Sequence, residues 1–150
     1  MLELNQPAPD FTLPTTSGEP FQLSAQRGRN VVLYFYPKDD TPGCTAEACG
    51  FRDQYEEFQD LGAEVVGVSS DSAASHQQFA RKHGLPFPLL ADAGGAVRKR
   101  YEVPRALLGL LPGRVTFVID KAGIIRYIFN SLGGAADHVT NTKAVLQKLA

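Results

Sequence analysis

The most constraining feature of this sequence is an unbroken run of apolar residues, β-branched or aromatic except for Leu33, at positions 31–36, which ends at Pro37. A strand that is buried on both faces has this composition, whereas a half-exposed strand would alternate apolar and polar residues. A helical pattern follows Pro42 and Gly43 over residues 44–61. Its apolar positions recur at three- and four-residue spacing and are Cys44, Ala48, Phe51, Tyr55 and Phe58. The chain is therefore predicted to run from a buried strand, through a short turn, into an amphipathic helix.

Strands and helices alternate in the remaining pattern. We predict strands at residues 64–69 and 89–90, and helices at residues 72–83, 96–101 and 136–149, with Asp71 or Ser72 as a cap and Gly84 as a stop. Residues 115–119 and 124–129 form a predicted hairpin. This order predicts an α/β fold with a mixed sheet and helices on both faces, and it is typical of thioredoxin-like domains. In such sheets the reactive site lies beyond the carboxyl ends of the strands.

Composition limits the class of protein. The 150 residues are 43% hydrophobic and 21% charged, which predicts one domain over residues 1–150. A net charge of -1 with scattered basic residues argues against a nucleic-acid partner. No apolar run approaches the roughly 20 residues of a membrane span, so no membrane partner is expected. Two cysteines are too few for a disulfide scaffold and favour a reducing compartment. We expect a cytoplasmic protein of bacterial type; the alternative is a mature plastid protein whose transit peptide has been removed.

Cys44 stands at the start of the predicted helix, where free N–H groups and the helix dipole favour a thiolate. Thr41 adds a hydroxyl that can bond to the sulfur or to an approaching oxygen. Pro37 and Pro42 restrict the turn and keep its N–H groups, that of Gly43 included, directed at one point. The turn is therefore a candidate site for a nucleophilic sulfur and its substrate.

Arg114 immediately precedes the predicted strand at residues 115–119. A unit charge about 4 Å from a thiolate contributes up to roughly 4 kcal/mol at an effective dielectric of about 20. Arg114 is thus a candidate for stabilising the sulfur and the charge that develops on a cleaved oxygen–oxygen bond. The alternative is an exposed arginine at a strand edge, which the spacing alone slightly favours.

Cys49 lies five residues after Cys44. On an ideal helix this spacing gives a rise of about 7.5 Å and a rotation of about 140°, so the Cα atoms are about 8 to 9 Å apart. A disulfide needs a separation below about 7 Å, and the helix would have to open before the two sulfurs could join. The alternative is that Cys49 is a small buried apolar residue, and the spacing leaves both interpretations open.

Other sites fit less well. The three histidines, His76, His83 and His138, lack a compact zinc spacing with two cysteines, and we expect them at the surface or hydrogen bonded within helices. A cysteine hydrolase with a distant histidine partner stays open. A thioredoxin-type dithiol would have two intervening residues rather than four. Residues 98–100 are predicted to be a solvated helix face. The four leucines within residues 107–111 are predicted to pack in the core; the alternative is an apolar docking surface or substrate wall.

Residues 37–49, PKDDTPGCTAEAC, resemble the active-site segment of peroxiredoxins of the bacterioferritin-comigratory-protein, or peroxiredoxin Q, group. The resemblance extends from residues 8–11 (APDF) through residues 67–69 (GVS) and Asp71 to residues 114–120 (RVTFVID). Residues 111–114 (LPGR) further resemble the plastid and cyanobacterial branch. The resemblance therefore covers nearly the whole chain.

The resemblance implies a thiol peroxidase that reduces hydrogen peroxide and organic hydroperoxides and needs no cofactor and no metal. It assigns the attacking thiol to Cys44, the resolving thiol to Cys49, and supporting roles to Pro37, Thr41 and Arg114. Thioredoxin or a related dithiol protein would reduce the resulting intramolecular disulfide, and a monomer is expected. Glu47 resembles a family acid that orients the arginine; the alternative is a solvated helix glutamate. Two other functions stay open, a non-enzymatic redox switch acting on a protein partner and a thiol–disulfide oxidoreductase.

Overall fold

The computed structural model describes residues 2–149, so the terminal residues 1 and 150 of the expected domain lie outside the described part. The strands are β1 (Thr12–Pro14), β2 (Pro20–Gln22), β3 (Asn30–Phe35), β4 (Ala63–Ser69), β5 (Leu89–Ala91), β6 (Arg105–Ala106), β7 (Leu111–Pro112), β8 (Val115–Ile119) and β9 (Ile125–Asn130). The helices are α1 (Pro42–Asp53), α2 (Tyr55–Asp60), α3 (Ala73–His83), α4 (Ala96–Arg100) and α5 (Ala135–Leu149), with short 3₁₀ turns at Leu23–Gln26 and Ala93–Gly95.

A five-stranded mixed sheet in the order β5-β4-β3-β8-β9 forms the centre of the fold. β3, β4 and β5 are parallel, whereas β8 runs antiparallel to both β3 and β9. Phe35 in β3 pairs with Val68 of β4 on one side and with Val115 of β8 on the other. Because of this register, the residue before β8 lies at the same edge of the sheet as the turn that follows β3. The predicted mixed sheet is confirmed, and its topology brings Arg114 to the carboxyl end of β3.

The apolar core lies on both faces of the sheet. Alternate residues of β3 point to opposite faces, as the two-residue period of a strand requires. Val31, Leu33 and Phe35 pack with α4 and the β1–β2 hairpin. Val32 and Tyr34 pack on the other face, with α1, α2, α3 and α5. The predicted placement of helices on both faces is confirmed, with four helices on one face and α4 on the other.

Two of the helix signals acted as expected and one helix prediction was wrong. The Ser72 hydroxyl accepts a hydrogen bond from the Ser75 N–H at 3.1 Å, and Gly84 ends α3 with a left-handed φ of 60°. The single helix predicted over residues 44–61 is interrupted at Gln54, where φ is -113° and ψ is 12°. No glycine or proline stands there, so no sequence signal marks the break. β1 and β2 were not predicted; each has a proline at one end, Pro14 and Pro20, and proline is disfavoured within strands.

The leucines within residues 107–111 are exposed, so the prediction that they pack in the core was wrong. Leu107, Leu108 and Leu110 keep 58%, 104% and 78% of their accessible surface. β6 and β7 pair only with each other and hold this segment in a small hairpin apart from the central sheet. Among residues 2–149, no helix has both the length and the apolarity needed to cross a membrane.

The close packing of β4 against β3 predicts that a methyl group at Gly67 destabilises the fold. A Cβ there would lie 2.7 Å from Tyr34 Cζ and 2.9 Å from Leu89 Cδ2. Tyr34 cannot move aside easily, because its ring stacks on Phe51 at a centroid distance of 4.8 Å. We expect Gly67→Ala to lower the free energy of unfolding by about 1–3 kcal/mol, measured by urea denaturation. Gly133→Ala is the control, since nothing lies within 4 Å of its Cβ position. Equal midpoints for the two variants would contradict the packing argument.

Candidate active site

Cys44 lies in the first turn of α1, and its side chain is buried, with 1% of its surface exposed. The helix begins two residues earlier than predicted, with Pro42 as its first residue and Thr41 in extended conformation as its N-cap. The first helical hydrogen bond runs from the Thr45 N–H to the Thr41 carbonyl at 2.8 Å. The N–H groups of Gly43 and Cys44 precede it and belong to the unpaired end of the helix, which favours an anion at this position.

Arg114 reaches Cys44 from the neighbouring strand. Its Nη2 lies 3.5 Å from Cys44 Sγ, its Nη1 donates to Glu47 Oε1 at 2.6 Å, and its Nε donates to the Leu132 carbonyl at 2.8 Å. Only 3% of Arg114 is exposed, so the alternative of an exposed strand-edge arginine is wrong. Burial opposes the charge, yet Glu47 and Cys44 outweigh it and raise the pKa of Arg114. A fixed cation therefore stands beside the sulfur.

Glu47 lies one helical turn beyond Cys44 and is fully buried, with 0% of its surface exposed. The alternative of a solvated helix glutamate is therefore wrong. Burial raises the pKa of Glu47 to about 7, although the Arg114 guanidinium acts in the opposite direction. Through its bond to Nη1, Glu47 fixes the orientation of the guanidinium that faces Cys44.

A cavity of about 480 Å³ opens onto Cys44 and Arg114. Thr41 and Pro37 lie in its wall, so the structure brings together the five residues Pro37, Thr41, Cys44, Glu47 and Arg114. The Thr41 hydroxyl donates to the Lys38 carbonyl at 2.9 Å and leaves its oxygen lone pairs as acceptors. The rest of the wall combines apolar and polar side chains, namely Lys38, Ser70, Asp71, Leu111, Pro112 and Leu132. The cavity can take a small polar group at the sulfur and an apolar group beside it.

Cys49 is partly buried and lies in the same continuous helix as Cys44. Both cysteines are free thiols. The helical separation of about 8 to 9 Å between their Cα atoms therefore applies to this structure. The two sulfurs could join only after the first turns of α1 had opened.

Arg98 supports the site and was missed by the sequence analysis. Its guanidinium donates to the Tyr36 carbonyl at 2.6 Å and to the Gly113 carbonyl at 2.8 Å, and it lies over the Phe35 ring at 5.7 Å. It thereby joins the end of β3 to the residue before Arg114. The prediction of a solvated helix face is wrong for Arg98. Its partners are backbone carbonyls, which leave no pattern in a sequence.

The turn before Cys44 is anchored through Asp39, which is buried. Its carboxylate accepts hydrogen bonds from the Tyr36 hydroxyl at 2.5 Å and the Ser75 hydroxyl at 2.8 Å, and it lies 2.7 Å from His76 Nδ1. The Asp39 N–H donates to Asp71 Oδ2 at 2.8 Å. His76 Nε2 donates in turn to the Leu90 carbonyl at 3.0 Å, as expected for a hydrogen-bonded helix histidine. These bonds tie the turn to α3 and to the ends of β4 and β5.

Comparison with known proteins gives consistent matches. The family model described as the AhpC/TSA family matches residues 4–128. The chloroplastic peroxiredoxin Q of Oryza sativa subsp. japonica is 52% identical over 142 residues, which are 95% of this chain and 65% of that relative. The chain therefore spans slightly less than two thirds of the relative's length.

Two solved structures have the same fold. The peroxidoxin BcpB from Mycobacterium tuberculosis is similar with a TM-score of 0.91 and 37% identity, covering 100% of this chain and 99% of that one. The bacterioferritin comigratory protein of Xanthomonas campestris is similar with a TM-score of 0.85 and 33% identity, covering 93% of this chain and 91% of that one. Both structures share the fold over nearly the whole chain.

The hydrogen bonds of Asp39 predict that its charge stabilises the active-site turn. Asp39→Asn replaces one acceptor oxygen by an NH₂ group that faces donors, so buried donors lose their partner. We expect the free energy of unfolding to fall by about 3 kcal/mol in urea denaturation. Asp40→Asn is the matched control, because Asp40 is exposed and pairs with Lys82 at the surface. A midpoint for Asp39→Asn as high as that of Asp40→Asn would contradict the anchoring role.

Proposed function

The chain belongs to the AhpC/TSA family, within its peroxiredoxin Q group, and on this premise we propose that it is a thiol-dependent peroxidase with Cys44 as its attacking thiolate. The observation that carries the proposal is the contact between Arg114 Nη2 and Cys44 Sγ at the base of an accessible cavity. A cation beside the sulfur stabilises an anionic nucleophile, and the cavity gives a substrate access to the sulfur. A buried structural cysteine requires neither feature.

In the first step the Cys44 thiolate attacks one peroxide oxygen. A sulfur–oxygen bond forms while the oxygen–oxygen bond breaks, and the leaving oxygen takes a proton and departs as water or alcohol. Arg114 and the N–H groups of Gly43 and Cys44 donate to the substrate and the leaving oxygen. The Thr41 hydroxyl, whose own proton bonds to the Lys38 carbonyl, accepts from the peroxide O–H. Donors fixed before the reaction stabilise charge that develops on the leaving oxygen, which is the logic of an oxyanion hole.

The second step joins the two cysteines. After the first turns of α1 open, the Cys49 thiol attacks the Cys44 sulfenic acid, a disulfide forms and water leaves. Thioredoxin or a related dithiol protein then reduces this disulfide and restores both thiols. The distance that α1 imposes on the two cysteines is the reason for the opening.

The cavity wall supports organic hydroperoxides as substrates beside hydrogen peroxide. Leu111, Pro112 and Leu132 present apolar surface next to Cys44 and Arg114. The Xanthomonas campestris relative is described in connection with alkyl peroxide reduction activity. The rice relative is chloroplastic by name, which agrees with the alternative of a mature plastid protein. The cytoplasmic location and the monomeric state stay predictions.

Variants of the two cysteines test the proposed cycle. Cys44→Ser should abolish peroxide consumption with thioredoxin and thioredoxin reductase, because no sulfenic acid can form. Cys49→Ser should retain one rapid turnover, detected as a sulfenic acid on Cys44 by mass spectrometry, and then stop without the resolving thiol. Full turnover in Cys44→Ser would refute the assignment. Slow stoichiometric oxidation of the wild type would indicate a redox switch, and a preference for protein disulfides over peroxide would indicate a thiol–disulfide oxidoreductase.

Arg114→Lys tests the role of the guanidinium fork. A lysine ammonium is a point charge and cannot contact Glu47, Leu132 and Cys44 together from fixed positions. We expect the single-turnover reaction with peroxide to slow by at least about tenfold. Arg81→Lys, at an exposed position of α3, is the control and should react at the rate of the wild type. An unchanged rate in Arg114→Lys would remove the fork from the mechanism.

A further inference from the structure

The two carboxyl oxygens of Glu47 have different surroundings. Oε1 accepts the hydrogen bond from Arg114 Nη1 at 2.6 Å. Oε2 is buried and has no hydrogen-bond partner among the described residues 2–149. Its nearest ionisable neighbour on another helix is His138 of α5, whose Nδ1 lies 3.5 Å away. A buried oxygen without a donor is costly, and a carboxylate charge on it more so.

The hydrogen bonds of His138 fix which of its nitrogens carries a proton. Nε2 lies 2.7 Å from the Ser131 carbonyl, which can only accept, so Nε2 is the donor. Nδ1 lies 2.7 Å from the Thr116 hydroxyl, which can donate to it. A neutral imidazole satisfies both contacts, with a proton on Nε2 and a lone pair on Nδ1. Nδ1 has a single lone pair, so the Thr116 hydroxyl and a proton on Glu47 Oε2, which lies 3.5 Å away, compete for it.

A carboxylate at Glu47 would therefore place a charged oxygen against a nitrogen lone pair with no hydrogen between them. A proton on Oε2 converts this repulsion into a donor–acceptor contact with Nδ1. We propose that Glu47 carries this proton, held against His138, so that Glu47 orients Arg114 without cancelling the guanidinium charge at Cys44. His138 and Thr116 are then positioning residues that act on Cys44 through Glu47 and Arg114. The inference rests on the proposed peroxidase function.

The electrostatics of the cluster support this assignment. Burial raises the pKa of Glu47 to about 7, and burial lowers the pKa of His138 to about 4, with Arg114 acting in the same direction on His138. Between about pH 4 and about pH 7 both groups are therefore neutral. The other ionisable groups near Glu47 are Cys44 on its own helix, Arg114 before β8, and Tyr34 of β3, whose pKa burial raises well above its usual value. Arg114 is thus the cation of this cluster.

The consequence for catalysis is a loss of reactivity at alkaline pH. The folded pKa of Glu47 is raised, so its proton is present below pH 7 and is lost as the pH rises through about 7. The carboxylate formed then compensates the Arg114 charge and weakens its effect on the thiolate and on the leaving oxygen. Above this pH the rate per thiolate should fall by about tenfold, which is the same change in free energy as a shift of one unit in pKa.

Infrared difference spectroscopy tests the proton directly and requires no catalytic activity. At about pH 6 the wild type should show the carbonyl stretch of a buried protonated carboxyl, and the band should disappear above about pH 8. The isosteric variant Glu47→Gln should lack the band. Thr116→Val removes the hydroxyl that competes for His138 Nδ1, so the band should persist to higher pH. Thr142→Val is the control, because it removes a buried hydroxyl of α5 that does not bond to His138 and should leave the band unchanged.

The rate of peroxide reaction links the proton to function. In a Cys49→Ser background, the single-turnover rate per thiolate should show the alkaline fall, and Glu47→Gln should show none. Absence of a Glu47-dependent band, or an alkaline fall that persists in Glu47→Gln, would overturn the inference. If the band is present but the wild type does not react with peroxide, the proposed function fails while the assignment of the proton stands.

Discussion

The site depends on the position of one guanidinium. The antiparallel pairing of β3 with β8 sets Phe35 opposite Val115, so the residue before β8 must lie beside the turn that leads into α1. Arg98 closes the same junction from α4 by bonding to the Tyr36 and Gly113 carbonyls. Once Arg114 is placed there, Leu132 and Glu47 fix its orientation, and Cys44 Sγ lies at the remaining end of the fork. Sheet register, rather than a local motif, therefore brings charge and sulfur together.

The sequence was sufficient to predict those helices and strands that are determined by residues close together in the chain. The β-branched run predicted the buried strand β3, and the Ser72 cap and Gly84 stop defined α3. Cys44 was predicted as the reactive thiol because its position after Pro42 and Gly43, at the start of a helix, itself favours a thiolate. The break at Gln54 had no such signal, because neither glycine nor proline marks it. The exposed leucines were misjudged because composition does not reveal that β6 and β7 pair apart from the sheet.

The burial of charged residues was the part that sequence could not supply. Charged residue types are usually exposed, and four of them contribute to the site: Arg114, Glu47, Arg98 and Asp39. The spacing alone favoured an exposed Arg114. Arg114, Glu47 and Asp39 are buried, and Arg98 is partly buried. Each has a partner from a distant part of the chain, 67 residues away for the Glu47–Arg114 pair. Buried charges are tolerated only when paired, so burial and partner must be known together. Resemblance to a family pointed to Arg114 and Glu47, whereas Arg98 had no counterpart in the residues that carried the resemblance.

The same arrangement determines how the proposed disulfide can form. The chain before Cys44 is fixed by the hydrogen bonds of Asp39, and the chain after Cys49 is fixed where Gly50 meets Val139 of α5, since a Cβ at Gly50 would lie 3.0 Å from Val139 Cγ2. Unwinding of α1 is therefore confined to the turns between these two anchors, and Glu47 lies within these turns. Unwinding that segment would take Glu47 away from Arg114 and His138. In the proposed cycle, the hydrogen-bonded cluster that orients Arg114 at Cys44 would then be lost in the step that forms the disulfide. The cluster can re-form only when reduction lets the helix close.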